Sequence, residues 1–382
     1  MNPVFMTKKL TIGVVYGGRS GEHEISLRSA RSVIESLDQR KYDIVPLAIT
    51  MEGKWLPPAA SVKLLAAEAQ AMIGSAAQDK RKEIALTGDP GYQGLLSLGR
   101  GGGGVERLDV VIPVLHGTYG EDGTIQGLLD MAGIAYVGCG VLASSCGMDK
   151  VTMKALFRDA GLPLCNYLSF LRGEWEANRE SMMRRVSREI GYPCFVKPAN
   201  LGSSVGVSRA DNKTQLRAAI ELAAKYDRKI MVEEGLNARE IECAVLGNDH
   251  PEASLPGEYL IHDANASFLD YEEKYSGTGH NEFVVPARIS QTQIRQIQKQ
   301  ALTAFKAVDG SGLARVDFFL RRDNGQLLVN ELNTMPGLTD VSGFPKMWAA
   351  TGRKFPEVLD RLIELAIDRN QDKRRNAISH NL

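Results

Sequence analysis

Arg315, Asp317, Glu331 and Asn333 are the residues of this 382-residue chain best suited to chemistry. They interrupt two apolar runs, Leu313-Ala314-Arg315-Val316-Asp317-Phe318-Phe319-Leu320 and Leu327-Leu328-Val329-Asn330-Glu331-Leu332-Asn333. Each run reads as a strand. Residues i and i+2 of a strand share a face, so Arg315 points with Asp317 and Glu331 with Asn333. Two carboxylates and an amide are hard oxygen donors of the kind that Mg²⁺ takes together with phosphates. That chemistry points to an enzyme acting on a nucleotide. The alternative is a pair of half-exposed strands whose charges are merely solvated.

The connection Arg322-Asp323-Asn324-Gly325-Gln326 decides which side chains meet. A two-residue Asn-Gly turn would set Asp317 opposite Leu332. A three-residue Asp-Asn-Gly loop, with Gly325 in the left-handed conformation, sets Asp317 opposite Glu331 and Arg315 opposite Asn333. A slip of one residue sends every side chain to the other face. The three-residue loop is the expectation here, because the shorter turn scatters the ligands.

Other segments carry weaker signals. Residues 197–206, Lys-Pro-Ala-Asn-Leu-Gly-Ser-Ser-Val-Gly, offer backbone N–H groups, hydroxyls and Lys197 to a phosphate, yet lack the spacing of a P-loop. Taken alone, this loop reads better as a surface turn. The strand 229–234 ends in Glu233 and Glu234, acceptors suited to an adenine amino group and ribose hydroxyls, with Glu240 beyond. Alone, it reads as a strand end with solvated acids. Lys274 and Tyr275 sit in a charged loop, where Lys274 could reach a phosphate. Glu22 and His116 each follow a strand at its C-terminal end, where open α/β sheets bind ligands. Glu22 also precedes a helix and reads equally as a capping acid.

These groups need a scaffold to hold them. The length suits two or three domains. Composition is ordinary, 43% hydrophobic and 24% charged. The 46 basic residues balance 46 acidic ones, which removes the footprint of a nucleic-acid binder and gives no support for a membrane contact. Five scattered cysteines (139, 146, 165, 194, 243) with no C-x-x-C suggest reduced thiols in a cytosolic protein. The apolar stretch 10–16 is too short for a signal-peptide core or a spanning helix, so a cytoplasmic location is expected.

Strand 10–16, a Gly-rich loop, a helix over 25–37 and a strand over 42–49 predict an open parallel sheet. Residues 58–107, Ala-rich and then Gly-rich, read as a variable insertion with some helix and a mobile loop. Strand 108–115 and a helix to 131 complete a first unit, 1–138. A second, 139–237, opens on a helix capped by Asp149. A third, 238–382, holds the acidic hairpin, a helix with Ile294, Ile297, Ala301 and Phe305 on one face, and a closing helix over 355–367. The tail 368–382 reads as polar and frayed.

Taken together, these segments resemble the D-alanine–D-alanine ligases of the ATP-grasp superfamily. The motifs are Gly-Gly-Arg-Ser-Gly-Glu-His-Glu-Ile-Ser at 17–26 and His-Gly-Thr-Tyr-Gly-Glu-Asp-Gly-Thr-Ile-Gln at 116–126. To these add Met-Asp-Lys at 148–150, the loop 197–206, Tyr-Glu-Glu-Lys-Tyr at 271–275, Ala-Arg-Val-Asp at 314–317 and Glu-Leu-Asn-Thr-Met-Pro-Gly at 331–337. The resemblance covers nearly all of the chain outside 50–107 and the last dozen residues.

It implies a three-domain ATP-grasp α/β fold with an N-terminal, Rossmann-like parallel sheet. It implies ATP-dependent formation of D-alanyl-D-alanine through an acyl phosphate, for peptidoglycan precursors. D-alanyl-D-serine synthesis or another carboxylate–amine ligation is the alternative. Glu22 would hold the amino group of the first D-alanine, with His116 near its carboxylate. Lys150, Lys197, Glu233, Glu234, Leu236, Glu240 and Lys274 would surround ATP. Asp317, Glu331 and Asn333 would hold two Mg²⁺ or Mn²⁺. Arg315 would stabilise the reacting carboxylate, and Gly337 and Ser342 would meet the second D-alanine. Ser203 and Tyr275 would join Glu22 in a hydrogen-bonded set, with 265–285 as a lid. A cytoplasmic homodimer is implied, with D-alanine and ATP as small-molecule partners. Two positions depart from the pattern. Leu269 replaces a common Tyr, and Gly343 stands where a larger apolar residue is common, which implies a roomier second subsite.

Overall fold

Long runs of β-branched residues set the first layer, because only a strand buried on both faces tolerates them. Ile12, Val14, Val15 and Tyr16 of β1 (Leu10–Gly17) have no exposed surface. The computed structural model describes residues 8–73, 83–98, 104–202, 204–261 and 281–377. β1 pairs in parallel with β2 (Tyr42–Ile49) and later with β6 (Val110–Val114), which in turn pairs with β7 (Ala135–Tyr136). The sheet order β2-β1-β6-β7 is that of an open α/β layer. Apolar clusters cover both of its faces. Within the stretch read as an insertion, the structure adds a feature the composition hid. Alongside short helices, β3 (Glu83–Leu86), β4 (Gly94–Leu98) and β5 (Val105–Arg107) form a small antiparallel sheet.

The second sheet has the order β10-β9-β11-β8, from β8 (Tyr167–Leu171), β9 (Cys194–Pro198), β10 (Ser208–Ala210) and β11 (Lys229–Glu234). The third is antiparallel and holds β12 (Ala238–Gly247), β13 (Glu252–Ala253), β14 (Gly257–Ile261), β15 (Asn281–Val284), β16 (Gly312–Arg321) and β17 (Leu327–Asn333). Its core is backed by the helix Gln291–Ala307, whose Ile294, Ile297, Ala301 and Phe305 are all buried, as their spacing predicts. β15 occupies the end of the segment expected to be a lid; most of that segment lies outside the described residues.

The hairpin β16–β17 pairs Asp317 with Glu331 and Arg315 with Asn333, the register expected from sequence, but by another route. Near the turn, Leu320 pairs with Leu327 and Arg321 N–H bonds Gln326 O at 2.9 Å, so the loop is 322–325, one residue longer than expected. Gly325 is left-handed at φ +72°. The register then shifts between Asp317 and Phe318, leaving Asn330 as the extra residue of a bulge. The long loop alone would pair Asp317 with Asn330; the bulge restores Glu331.

The last helix, Phe355–Lys373, runs beyond the point where the tail was expected to fray. Arg369 explains it. Its guanidinium bonds the carbonyl of Gly138, Tyr136 O at 2.9 Å and Ser311 Oγ at 2.6 Å, and lies 4.3 Å from the centre of the Tyr136 ring. The helix is thereby clamped to the first sheet and the third at once.

Candidate active site

The C-terminal ends of β1 and β6 deliver the first acid. Gly17 turns the chain at φ +86°, where an added Cβ would sit 2.3 Å from Ile49 O, so only glycine fits. The chain then reaches Glu22, which precedes the helix His23–Ser36. Glu22 stands at the N-cap position of that helix, as the capping reading has it, but makes no capping hydrogen bond through its side chain. Instead it faces a cavity of about 140 Å³ together with His116, Glu121, Lys150, Gly202, Glu242, Arg315, Glu331, Asn333 and Gly337. All three sheets contribute to that wall or to the loops beside it. A Cβ on Gly202 would lie 3.6 Å from Glu22 Oε1, so the loop after β9 reaches the N-terminal acid.

Burial pushes the Glu22 carboxyl up to about 7, and neighbouring Glu121 adds to the rise; His116, Lys150 and Arg315 oppose it incompletely. His116 is 5% exposed. Its Nδ1 lies 3.1 Å from Met335 O and 3.6 Å from Glu121 Oε1, and its Nε2 lies 3.0 Å from Ser29 Oγ. Burial works against a charged ring here, yet Glu121 and Glu22 outweigh it and hold the pKa above the usual value.

On the third sheet, Glu242 pairs across β12–β16 with Asp317, which pairs with Glu331 on β17. Three carboxylates thus form one cross-strand row. Arg315 sits beside it, with Nε 2.7 Å from Asp317 Oδ1, Nη2 2.6 Å from Asp317 Oδ2, and Nε 3.4 Å from Glu242 Oε2. Burial alone would lower the Arg315 pKa, but Asp317 and Glu242 raise it well above the usual value. Glu331 also lies 3.6 Å from Lys150 Nζ. Neighbouring strands stand about 4.8 Å apart, so the row spreads over two such steps. Among the described residues no three His, Cys, Asp or Glu side chains gather closely enough to hold a metal by themselves. The donor set of Asp317, Glu331 and Asn333 fits Mg²⁺ only as part of a shell completed by other oxygens, as phosphates would supply.

A second cavity of about 90 Å³ shares Lys150, Leu201, Gly202, Ser204, Glu242 and Glu331 with the first and adds Lys197, Glu240, Asp317 and Phe319. Asp149 sets Lys150 in place. It accepts from Val151 N–H at 3.1 Å and Thr152 N–H at 3.0 Å, capping the helix Lys150–Asp159 as expected, and pairs with Lys229 at 2.5 Å. Lys150 Nζ donates to Leu201 O at 2.8 Å. Glu233 is 2% exposed and lines neither cavity; Lys197 Nζ holds its Oε2 at 2.5 Å and Lys154 Nζ its Oε1 at 2.7 Å. Burial would raise the Glu233 pKa, but the two ammonium groups hold it far below the carboxylate range. Glu234 accepts from Asn166 N–H at 2.9 Å, and it and Leu236 stand at the end of β11 without lining either cavity.

Gly337 lines the first cavity, whereas Ser342 does not; its hydroxyl is 2.6 Å from Thr339 Oγ1. The roomier subsite expected at Gly343 is corrected by the structure. An added Cβ there would meet Glu242 Oε2 at 2.6 Å and Phe283 at 2.9 Å, so a carboxylate and a ring fill the space. Ser203, Lys274 and Tyr275 lie outside the described residues. Sequence reasoning assigned nothing to Glu121, Glu242 or Lys154. Glu242 had a signal, since it shares a strand face with Glu240, two residues away. Glu121 lies inside the quoted motif, but nothing in its spacing marks it.

Two family models match the chain, the D-ala D-ala ligase N-terminus over residues 11–139 and the D-ala D-ala ligase C-terminus over 156–364. The D-alanine–D-alanine ligase of Heliobacterium modesticaldum is 45% identical over 97% of this chain and 98% of its own. That of Bacillus velezensis is 46% identical over 94% and 98%. Among solved structures, the D-alanine–D-alanine ligase from Coxiella burnetii superimposes with a TM-score of 0.80 at 36% identity, covering 97% of each chain. The VanG D-Ala:D-Ser ligase from Enterococcus faecalis gives 0.79 at 34% identity over 94% of this chain and 100% of its own. With matches of this extent to both halves of the chain, the protein belongs to the D-alanine–D-alanine ligase family.

Proposed function

We propose that the two joined cavities carry out ATP-dependent ligation of two D-alanines to D-alanyl-D-alanine, with release of ADP and phosphate. The observation that carries this reading is the shared wall. Lys150, Gly202 and Ser204 from the second unit and Glu331 from the third line both cavities, with Glu22, His116 and Arg315 on the first and Lys197 on the second. Glu22 accepts the ammonium of the first D-alanine, and Arg315 faces its carboxylate. Lys150, Lys197 and Glu240 line the nucleotide side, with Glu233, Glu234 and Leu236 at its adenine end and Lys274 from the segment 265–285.

A carboxylate is a poor acyl donor. Transfer of the terminal phosphoryl of ATP to one of its oxygens forms an acyl phosphate and frees ADP. The neutral amine of the second D-alanine then adds to the carbonyl, and the tetrahedral adduct expels phosphate as the peptide bond forms. Two unit charges at ~4 Å repel by ~4 kcal/mol at an effective dielectric of about 20. Arg315, Lys150 and Lys197 offset that repulsion, so the protein's task is positioning and charge stabilisation. Mg²⁺ or Mn²⁺, held by Asp317, Glu331 and Asn333, would screen the phosphates further. Gly337 and Ser342 flank the second D-alanine, and Ser203 and Tyr275 complete the hydrogen-bonded set around Glu22.

The five cysteines are free, in keeping with a cytoplasmic location. Among the described residues, no helix is long and apolar enough to cross a membrane. The test is phosphate release with ATP, Mg²⁺ and D-alanine, followed by mass detection of the product. Release that ignores D-alanine defeats the reading, and preferential capture of D-serine at the second position moves it to the alternative.

A further inference from the structure

Lys154 is a fully enclosed lysine, 1% exposed, to which the reaction above gives no part. It lies on the helix Lys150–Asp159 one turn after Lys150. Its Nζ is 2.7 Å from Glu233 Oε1 and 2.9 Å from the carbonyl of Asn330, the bulged residue next to Glu331. The Tyr167 ring centre is 5.9 Å away, and the Cys165 thiol donates to the same Glu233 oxygen at 3.4 Å. Lys197 holds the other oxygen of Glu233.

One carboxylate therefore has two ammonium partners, one on each oxygen. A single buried acid needs one counter-charge, and leaving it with none is strongly unfavourable. The second lysine is surplus to that need. The two are not equivalent. Lys154 is sealed from both cavities and tied to β17, whereas the Lys197 side chain is 12% exposed and lines the second cavity. Of the two, Lys197 alone can turn toward an incoming phosphate while remaining at the wall. Its departure would also uncover the Glu233 oxygen it now blocks.

We propose that Lys154 is a positioning residue, the standing counter-ion of Glu233, and that its presence lets Lys197 leave that carboxylate for a nucleotide phosphate. The inference rests on reading the second cavity as the nucleotide site. Without Lys154, every phosphate contact made by Lys197 would strand a buried carboxylate, so nucleotide affinity falls while the amino-acid end is untouched.

The experiment is calorimetric titration of ADP with Mg²⁺ into the full-length enzyme and four variants, Lys197→Met, Lys154→Met, Glu233→Gln and the double variant Lys154→Met/Glu233→Gln. Lys197→Met should weaken ADP by roughly 10-fold or more; unchanged affinity there removes the nucleotide reading itself. Lys154→Met should weaken ADP by about 10–100-fold, with the KM for D-alanine at saturating ATP moving less than about two-fold. If Lys197→Met binds poorly and Lys154→Met binds as wild type, the proposal for Lys154 alone is overturned. The double variant separates charge compensation from simple support of the Asn330 bulge. Its ADP affinity should equal that of Glu233→Gln, since no carboxylate is left to be stranded. A penalty from Lys154→Met that persists when Glu233→Gln is already present overturns the proposal, and this comparison holds even where Lys154→Met alone does not fold.

Discussion

Glu22 and Glu233 mark two ends of the site, the one lining the first cavity and the other buried behind Lys197 at the wall of the second, and they titrate in opposite directions. Burial raises Glu22 to about 7, and the strongest charged influence on it is another acid, Glu121. Glu233 is the more deeply buried, yet it stays ionised far below the usual range, because Lys154 and Lys197 each hold one of its oxygens. Burial is thus a poor guide to charge state: each Glu233 oxygen touches an ammonium, whereas burial and Glu121 outweigh His116, Lys150 and Arg315 around Glu22. The signs for stability follow. Glu22 destabilises the fold progressively as pH rises from its ordinary 4.5 to about 7. Glu233 contributes stability above its ordinary 4.5, which is lost as pH falls toward the depressed folded value. Lys197 at the wall of the second cavity suits a polyphosphate, and the acid Glu22 in the first suits an ammonium.

Removing Arg315, a cation that lines the first cavity with Glu22, should have the largest effect. Arg315→Ala takes away the partner of Asp317 and Glu242 and, on the proposed function, the group that would face the reacting carboxylate. A loss of about 3–4 kcal/mol in transition-state stabilisation is expected, roughly 10²–10³-fold in kcat/KM, with the fold retained. Steady-state kinetics alongside circular dichroism checks it. Turnover within about ten-fold of wild type would mean that the first cavity does not work through this cation.

At Glu22 itself the expected effect is smaller and depends on pH. Glu22→Gln removes a carboxylate whose pKa moves from 4.5 to about 7, an upper bound of about 3 kcal/mol gained at pH 8 and nothing gained near pH 4. Urea unfolding at the two pH values measures it. In the wild type, the KM for D-alanine should rise as pH falls below about 7, where Glu22 protonates in the empty enzyme. Equal stability of the variant and the wild type at pH 8 would show that Glu22 is not strained, and the contrast between the two ends would disappear.

How far this contrast was legible in the sequence differs by residue. The parallel sheet could be read, because β1 and β6 are apolar runs that suit burial on both faces. Glu22 and His116 could be placed, since open sheets expose their ligand ends at known points of the pattern. The pairing of Asp317 with Glu331 was legible too, though its mechanism was not. No local rule announces that Asn330 bulges to compensate a long loop. Glu121, Lys154 and Glu242 were missed because their roles arise from strands and helices brought together by the third dimension. The Lys154–Glu233 pair spans 79 positions of sequence and no shared element. Gly343 was misread for the same reason, since a small residue looks like empty space until Glu242 and Phe283 are seen filling it.

Gly343 lies against Glu242 of the acid row, and it tests whether that filling matters. Gly343→Ala should cost about 1–3 kcal/mol of stability, because the added methyl meets Glu242 Oε2 at 2.6 Å. The apparent KM for the second D-alanine should rise, while ADP affinity stays within about two-fold. A fully stable variant with unchanged kinetics would mean that Glu242 swings away freely. The row would then be less fixed than the Arg315 contact implies.

The smallest effect belongs outside both ends, at the hairpin tip. Gly325 is left-handed at φ +72° with nothing within 4 Å of an added Cβ, so Gly325→Ala brings backbone strain alone, about 1 kcal/mol. Thermal unfolding should register that cost, and kcat should stay within about two-fold of wild type, because the register at Asp317 is fixed by the bulge at Asn330 and by ten residue pairs with β12. A ten-fold fall in kcat with the fold intact would instead show that the turn transmits its geometry to the acids. The bulge would then be a consequence of the turn, and the carbonyl of Asn330 that Lys154 grips would be set by a loop far from either end of the cleft.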